Sequence, residues 1–165
     1  MLTLNRTKKF LHLFPGPYAY CPGSEGVDST FDVYCTTTEQ FLMASYYWDE
    51  QEQAELEART VAIALTHCLM DKPSANPEFL EQCSELGLLD FREEYPGRYR
   101  AVRSHCDYHG PGYEILCDGD ESAAFIRSGT HTRLIAQHVA ACLNRMFAAL
   151  DNIESSNRLA ERISQ

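Results

Sequence analysis

The chain has 165 residues, 44% of them hydrophobic, which suits one domain with a substantial core. Its formal net charge of −10 argues against a protein that coats nucleic acid, and no run of about 18 apolar residues offers a membrane span. Seven cysteines, odd in number and scattered singly, fit reduced thiols in apolar surroundings and a cytoplasmic location better than a disulfide scaffold.

The first nine residues carry three bases and no acid, and no apolar stretch with a small-residue cleavage site follows, so a secretion leader is not expected. FPGPY at 14–18 then leads into FDVYC at 31–35, a polar turn, and the apolar run EQFLMASYYW at 39–48, which together read as strands joined in hairpins. AELEARTVAIALTHCLM follows as a helix, with acids in its first turns and Val61, Leu65 and Cys68 on one stripe. PSANPEFLEQCSELGLLDFREEYPG is predicted to hold one or two short helices that bury Phe79, Leu80, Cys83, Leu86 and Leu89.

The pattern then returns. YPGRY at 95–99 matches FPGPY at an offset of 81, YEILC at 113–117 matches FDVYC at 82, and SAAFIRSG at 122–129 takes the place of the third strand. THTRLIAQHVAACLNRMFAALDNI is the second long helix, with Ile135, Val139, Cys142, Met146, Leu150 and Ile153 on its stripe and Thr130 or Thr132 as its cap. At an offset of 74, Arg59, Val61, Ala62, Cys68 and Leu69 correspond to Arg133, Ile135, Ala136, Cys142 and Leu143. Offsets that drift only at connections are expected of a repeated unit, because surface loops tolerate insertion.

The expected architecture is therefore α+β: tandem duplicated βββα units that form a mainly antiparallel sheet of about six strands packed with helices, related by a pseudo-twofold axis. Packing of the two copies sheet against sheet is the alternative. The whole is read as a single globular domain, with a first unit at 10–71, a helical linker at 72–91, a second unit at 92–153 and a polar tail at 154–165 that extends the last helix or frays. The strand entered by a Gly-Pro-Tyr-like turn and the helix opening TRLIA in the second copy resemble small accessory proteins of temperate bacteriophages and other mobile elements, which carry a βββα unit with an ARLIA-type helix. The resemblance implies a mobile-element context and no particular reaction.

Chemistry is sparse. SHCDYHGPGYEILC gathers His105, Cys106, Asp107, His109 and Cys117, the basis for an alternative reading as a small metal- or thiol-dependent enzyme. It lacks the paired spacing of a zinc site, and adjacent strand residues face opposite ways, so His105 is badly placed to activate Cys106. His131 and His138 lie about two helical turns apart and cannot share a metal, and His67 and His138 are expected at the edges of apolar stripes. No catalytic residue, metal or cofactor is assigned.

Charge is more informative. Residues 10–94 hold sixteen acids against three bases, while residues 95–165 hold eight of each, every base an arginine. Tyr46, Tyr47 and Trp48 stand directly before Asp49, Glu50, Glu52, Glu55 and Glu57, and this set is expected to bind a host protein or nucleoprotein complex with a basic surface. Arg98, Arg100, Arg103, Arg127 and Arg133 support the competing reading of a nucleic-acid-binding module. The leading expectation is a non-enzymatic protein that inhibits a defence nuclease or CRISPR-type complex, with no membrane involved.

Overall fold

The computed structural model describes residues 4–23, 29–47, 51–69, 77–107 and 110–163. Helix α1 (Leu4–Leu13) precedes a meander of β1 (Tyr18–Pro22), β2 (Ser29–Cys35) and β3 (Gln40–Tyr47), and α2 (Gln51–His67) closes the first half. Two short helices, α3 (Pro77–Glu85) and α4 (Leu88–Glu94), lead to a second meander of β4 (Arg100–Cys106), β5 (Gly110–Leu116) and β6 (Ser122–Arg127). The long helix α5 (Thr132–Ile163) ends the fold and takes in most of the predicted tail.

The class is α+β, but the six strands form two sheets of three, β1-β2-β3 and β4-β5-β6, instead of one continuous sheet. β3 and β6 lie side by side without ladder pairing, so the sheets meet along these two strands. A strand's own alternation specifies which face is buried and leaves open which neighbour its edge will take. That is why the count of strands was readable and their division was not.

The two meanders match in detail. Tyr18 pairs with Cys35, and continuing the β4–β5 register by one residue sets Tyr99 opposite Cys117. The second ladder of each sheet carries an irregularity at the same place, between Val33 and Tyr34 in one and Ile115 and Leu116 in the other. Gly16 and Gly97 enter each meander with φ of 75° and 89°, a backbone region open to glycine at little cost. A Cβ at Gly97 would also overlap the Asp118 side chain.

Each entry is fastened by a tyrosine. The Tyr18 hydroxyl donates to the Phe14 carbonyl at 2.6 Å, and the Tyr99 hydroxyl donates to the Tyr95 carbonyl at 2.7 Å. The closing helix of each half then holds that tyrosine's backbone. Thr66 Oγ1 accepts from the Tyr18 N–H at 3.2 Å and donates to its carbonyl at 3.3 Å; Asn144 does both at Tyr99, at 2.9 and 2.8 Å. A buried backbone N–H or C=O left unpaired is costly, so these side chains complete what the ladders leave open.

The core lies between the sheets and the helices. Val61 and Leu65 on α2 are buried, as are Ile135, Val139, Cys142, Met146, Leu150 and Ile153 on α5, which are the faces their spacing predicts. Of the linker residues expected inside, Cys83 is fully buried and Phe79, Leu80, Leu86 and Leu89 are half-buried, while Leu88 and Phe91 carry the packing of α4. α2 and α5 pack on each other, and the Cys68 and Cys142 thiols hydrogen-bond there; that bond, with burial, raises the Cys142 thiol above its ordinary range.

The leading helices cross over: α1 packs on α5, and α4 packs on α2. Phe10 on α1 is completely buried and stacks on His138 of α5, ring centroids 3.8 Å apart. Phe91 on α4 stacks on Phe147, with Tyr95 and Tyr99 beside it. Phe10, Phe14 and Tyr18 thus stand 81 residues before Phe91, Tyr95 and Tyr99 in the same arrangement.

Candidate functional site

The described part of the His/Cys segment is spread along the β4–β5 hairpin. Register sets Cys106 opposite Gly110 at one end of the β4–β5 hairpin, whereas Cys117 follows the far end of β5, on the order of 20 Å away at strand rise. His105 is exposed, Cys117 is buried, and His109 lies outside the described residues. Among the described residues no group of three or more His, Cys, Asp or Glu side chains could hold a metal ion. His67 and His138, expected at the edges of apolar stripes, are buried: His67 stacks on Phe79 at 4.6 Å, and burial pushes His138 down to about 4.

The acidic stretch divides. Trp48, Asp49 and Glu50 lie outside the described residues, and Tyr46 and Tyr47 end β3. Glu52 is exposed at the start of α2. Glu55 accepts from the Tyr20 hydroxyl at 3.3 Å and Glu57 from the Tyr95 hydroxyl at 3.1 Å, so these two carboxylates serve contacts inside the molecule. Gln53 donates to the same Tyr95 oxygen at 3.0 Å, and burial with the nearby Glu57 charge raises the Tyr95 hydroxyl well above its usual range.

A larger acidic surface emerges on α3 and α4. Glu81, Glu85, Asp90, Glu93 and Glu94 are exposed, and none forms an ion pair among the described residues. Arg92, the one base between residues 77 and 94, is turned away to α5, where it meets Asp151 at 2.6 Å and Glu154 at 3.1 Å. The local sequence is helical because the apolar positions Cys83, Leu88 and Phe91 are phased to one side, and the same phasing leaves the acids outside.

The opposite charge collects elsewhere. A cleft of about 550 Å³ is walled by Arg6 and Lys9 of α1, Arg103 and Tyr113 of β4 and β5, and Arg133 at the start of α5. No carboxylate lines it among the described residues. Arg6 Nη1 donates to Gln137 Oε1 at 3.2 Å, and none of the four cations is in an ion pair among the described residues. Two like charges 8 Å apart in water repel by roughly 0.5 kcal/mol, so such convergence has a small standing cost.

The other arginines do not join this cleft. Arg100 pairs with Asp120 and Arg98 is exposed at the β4 entry. Arg127 lines a neighbouring cleft of about 500 Å³ together with Glu39, Phe41 and Leu42. Arg6 and Lys9 were not expected as site residues; their one signal in the sequence is the acid-free basic run at the N-terminus.

No family model, curated protein or solved structure matches the chain. Among the described residues no helix is long and apolar enough to cross a membrane.

Proposed function

We propose that the chain is a non-enzymatic binding protein, made by tandem duplication of a βββα unit, that docks a cytoplasmic host macromolecule with a basic surface through the acidic face of residues 10–94. The observation that carries this reading is the separation of charge: exposed carboxylates on α3 and α4 on one hand, and a cleft of cations on the other, neither set in an ion pair among the described residues. Opposed potentials of this kind steer encounters and select partners.

Shared register, shared ladder irregularities and the repeated tyrosine bonds support duplication. Reciprocal crossing of α1 onto α5 and α4 onto α2, with Cys68 against Cys142 between the halves, supports a pseudo-twofold arrangement like that of a fused homodimer. The phage-like unit favours a mobile-element origin. A DNA- or RNA-handling complex, such as a defence nuclease or CRISPR-type assembly, has the cationic surface that this face would cover, and blocking it is the proposed activity.

The test is capture from nuclease-treated bacterial lysate on the immobilised protein. A discrete basic protein or nucleoprotein, retained at low salt and released by moderate salt, is the expected result. Recovery only in the presence of intact nucleic acid would contradict it.

A further inference from the structure

We propose that the cleft between α1, β4, β5 and the start of α5 binds a compact anion bearing two or more phosphate groups, of about nucleotide size. The site is independent of the acidic face. Four cations reach it from three separate elements: Arg6 and Lys9, one turn apart on α1, Arg103 on β4 and Arg133 on α5. In a chain of net charge −10, these cations share a concave wall with no carboxylate among its described lining residues.

The volume of about 550 Å³ falls within the roughly 300–1,000 Å³ typical of small-ligand sites. The walls also match the chemistry. Arginine forks donate two parallel hydrogen bonds to phosphate oxygens, and lysine adds a mobile point charge. Ser128 contributes a hydroxyl, and the half-buried Tyr113, paired with Arg103 across the β4–β5 ladder, contributes a ring face. Thr132 is already occupied, its Oγ1 accepting from the Gly129 N–H at 2.6 Å and donating to the Gly129 carbonyl at 2.7 Å, so it shapes the turn at the cleft floor.

Preorganisation favours binding. α1 packs on α5 through Phe10 stacked on His138, and Arg6 donates to Gln137 on α5 at 3.2 Å, so the α1 wall of the cleft is in place before any ligand arrives. Size is decided by screening. At physiological salt a charge is felt over about 8 Å, so a compact polyphosphate senses the four cations, while a long nucleic acid leaving the cleft meets the repulsion of a strongly acidic protein.

The experiment is isothermal titration of the whole protein with pyrophosphate, a nucleoside diphosphate and a short single-stranded oligonucleotide, repeated with the R103Q/R133Q double variant, a Lys9→Gln variant, and Arg158→Gln as a control outside the cleft. Saturable binding of pyrophosphate and nucleoside diphosphate is expected, at least tenfold weaker in the double variant, severalfold weaker in Lys9→Gln and unchanged in the control, all at an unaltered melting midpoint. Tighter binding of the nucleoside diphosphate than of pyrophosphate would assign the Tyr113 wall to a base and extend the proposal. No binding of either small anion, equal affinity in the double variant, or tighter binding of the oligonucleotide than of both small anions would overturn it.

Discussion

The two halves of the molecule share a scaffold and differ in charge. Both enter a three-stranded meander through a left-handed glycine, anchor it with a tyrosine hydroxyl on the carbonyl four residues earlier, and close it with a helix that clasps that tyrosine's backbone. What is common is what folding requires: paired backbone groups and phased apolar residues. What differs is net charge, sixteen acids against three bases over residues 10–94 and eight of each over residues 95–165, and such surface charge contributes little to the fold.

The comparison is tested most severely at Phe10 and Phe91. Each is fully buried in a ring cluster, so Phe10→Ala and Phe91→Ala should each cost about 3–5 kcal/mol, seen as a lower denaturant midpoint. Because each leading helix packs on the other half, both variants should still unfold in one transition. Two separate transitions would show that the halves stand independently.

His138 has no histidine counterpart, since Ala64 occupies the matching place. Burial holds its imidazole at about 4, below the ordinary value near 6.5. The neutral ring favours the folded state, so its contribution is present above pH 6.5 and is lost as pH falls from there through 4, up to about 3 kcal/mol. His138→Phe should flatten the melting profile over that window relative to the native chain; an identical slope in both would remove the assignment.

The two clasps should rank. Asn144 makes two bonds shorter than 3 Å to Tyr99, whereas Thr66 makes longer ones to Tyr18, so Asn144→Ala should cost about 2 kcal/mol and Thr66→Ala about 1 kcal/mol in denaturant melts. The reverse order would mean that bond length is a poor guide here. Smallest is the tyrosine pair: Tyr18→Phe and Tyr99→Phe each remove one matched bond and should lose about 1 kcal/mol, alike within error.

Much of the scaffold was legible because similar local patterns in the two parts of the sequence point to the same elements. The offset of 81 relating Tyr18 to Tyr99 and the stripes through Val61 and Ile135 are local patterns, and local patterns survive folding. Helix α1 was missed as an element because its apolar residues gain their meaning from α5, more than 120 residues away, where Phe10 meets His138. The division into two sheets was hidden for the same reason, since β3 and β6 meet only in the folded chain.

The site was legible in part. The excess of acid in the first half is plain in the sequence, but the turning of Glu55 and Glu57 toward Tyr20 and Tyr95 depends on partners 35 and 38 residues away. The cationic cleft needed three remote segments brought together, of which Arg103 and Arg133 were already suspected and Arg6 and Lys9 were not.

The most direct test of the central claim is a side-by-side capture of the native chain, a variant with Glu81, Glu85, Glu93 and Glu94 changed to glutamine, and a variant with Arg103 and Arg133 changed to glutamine. Loss of the captured partner in the first variant alone, at unchanged stability, is the result predicted. Retention of the partner by that variant would contradict the acidic face as the docking surface.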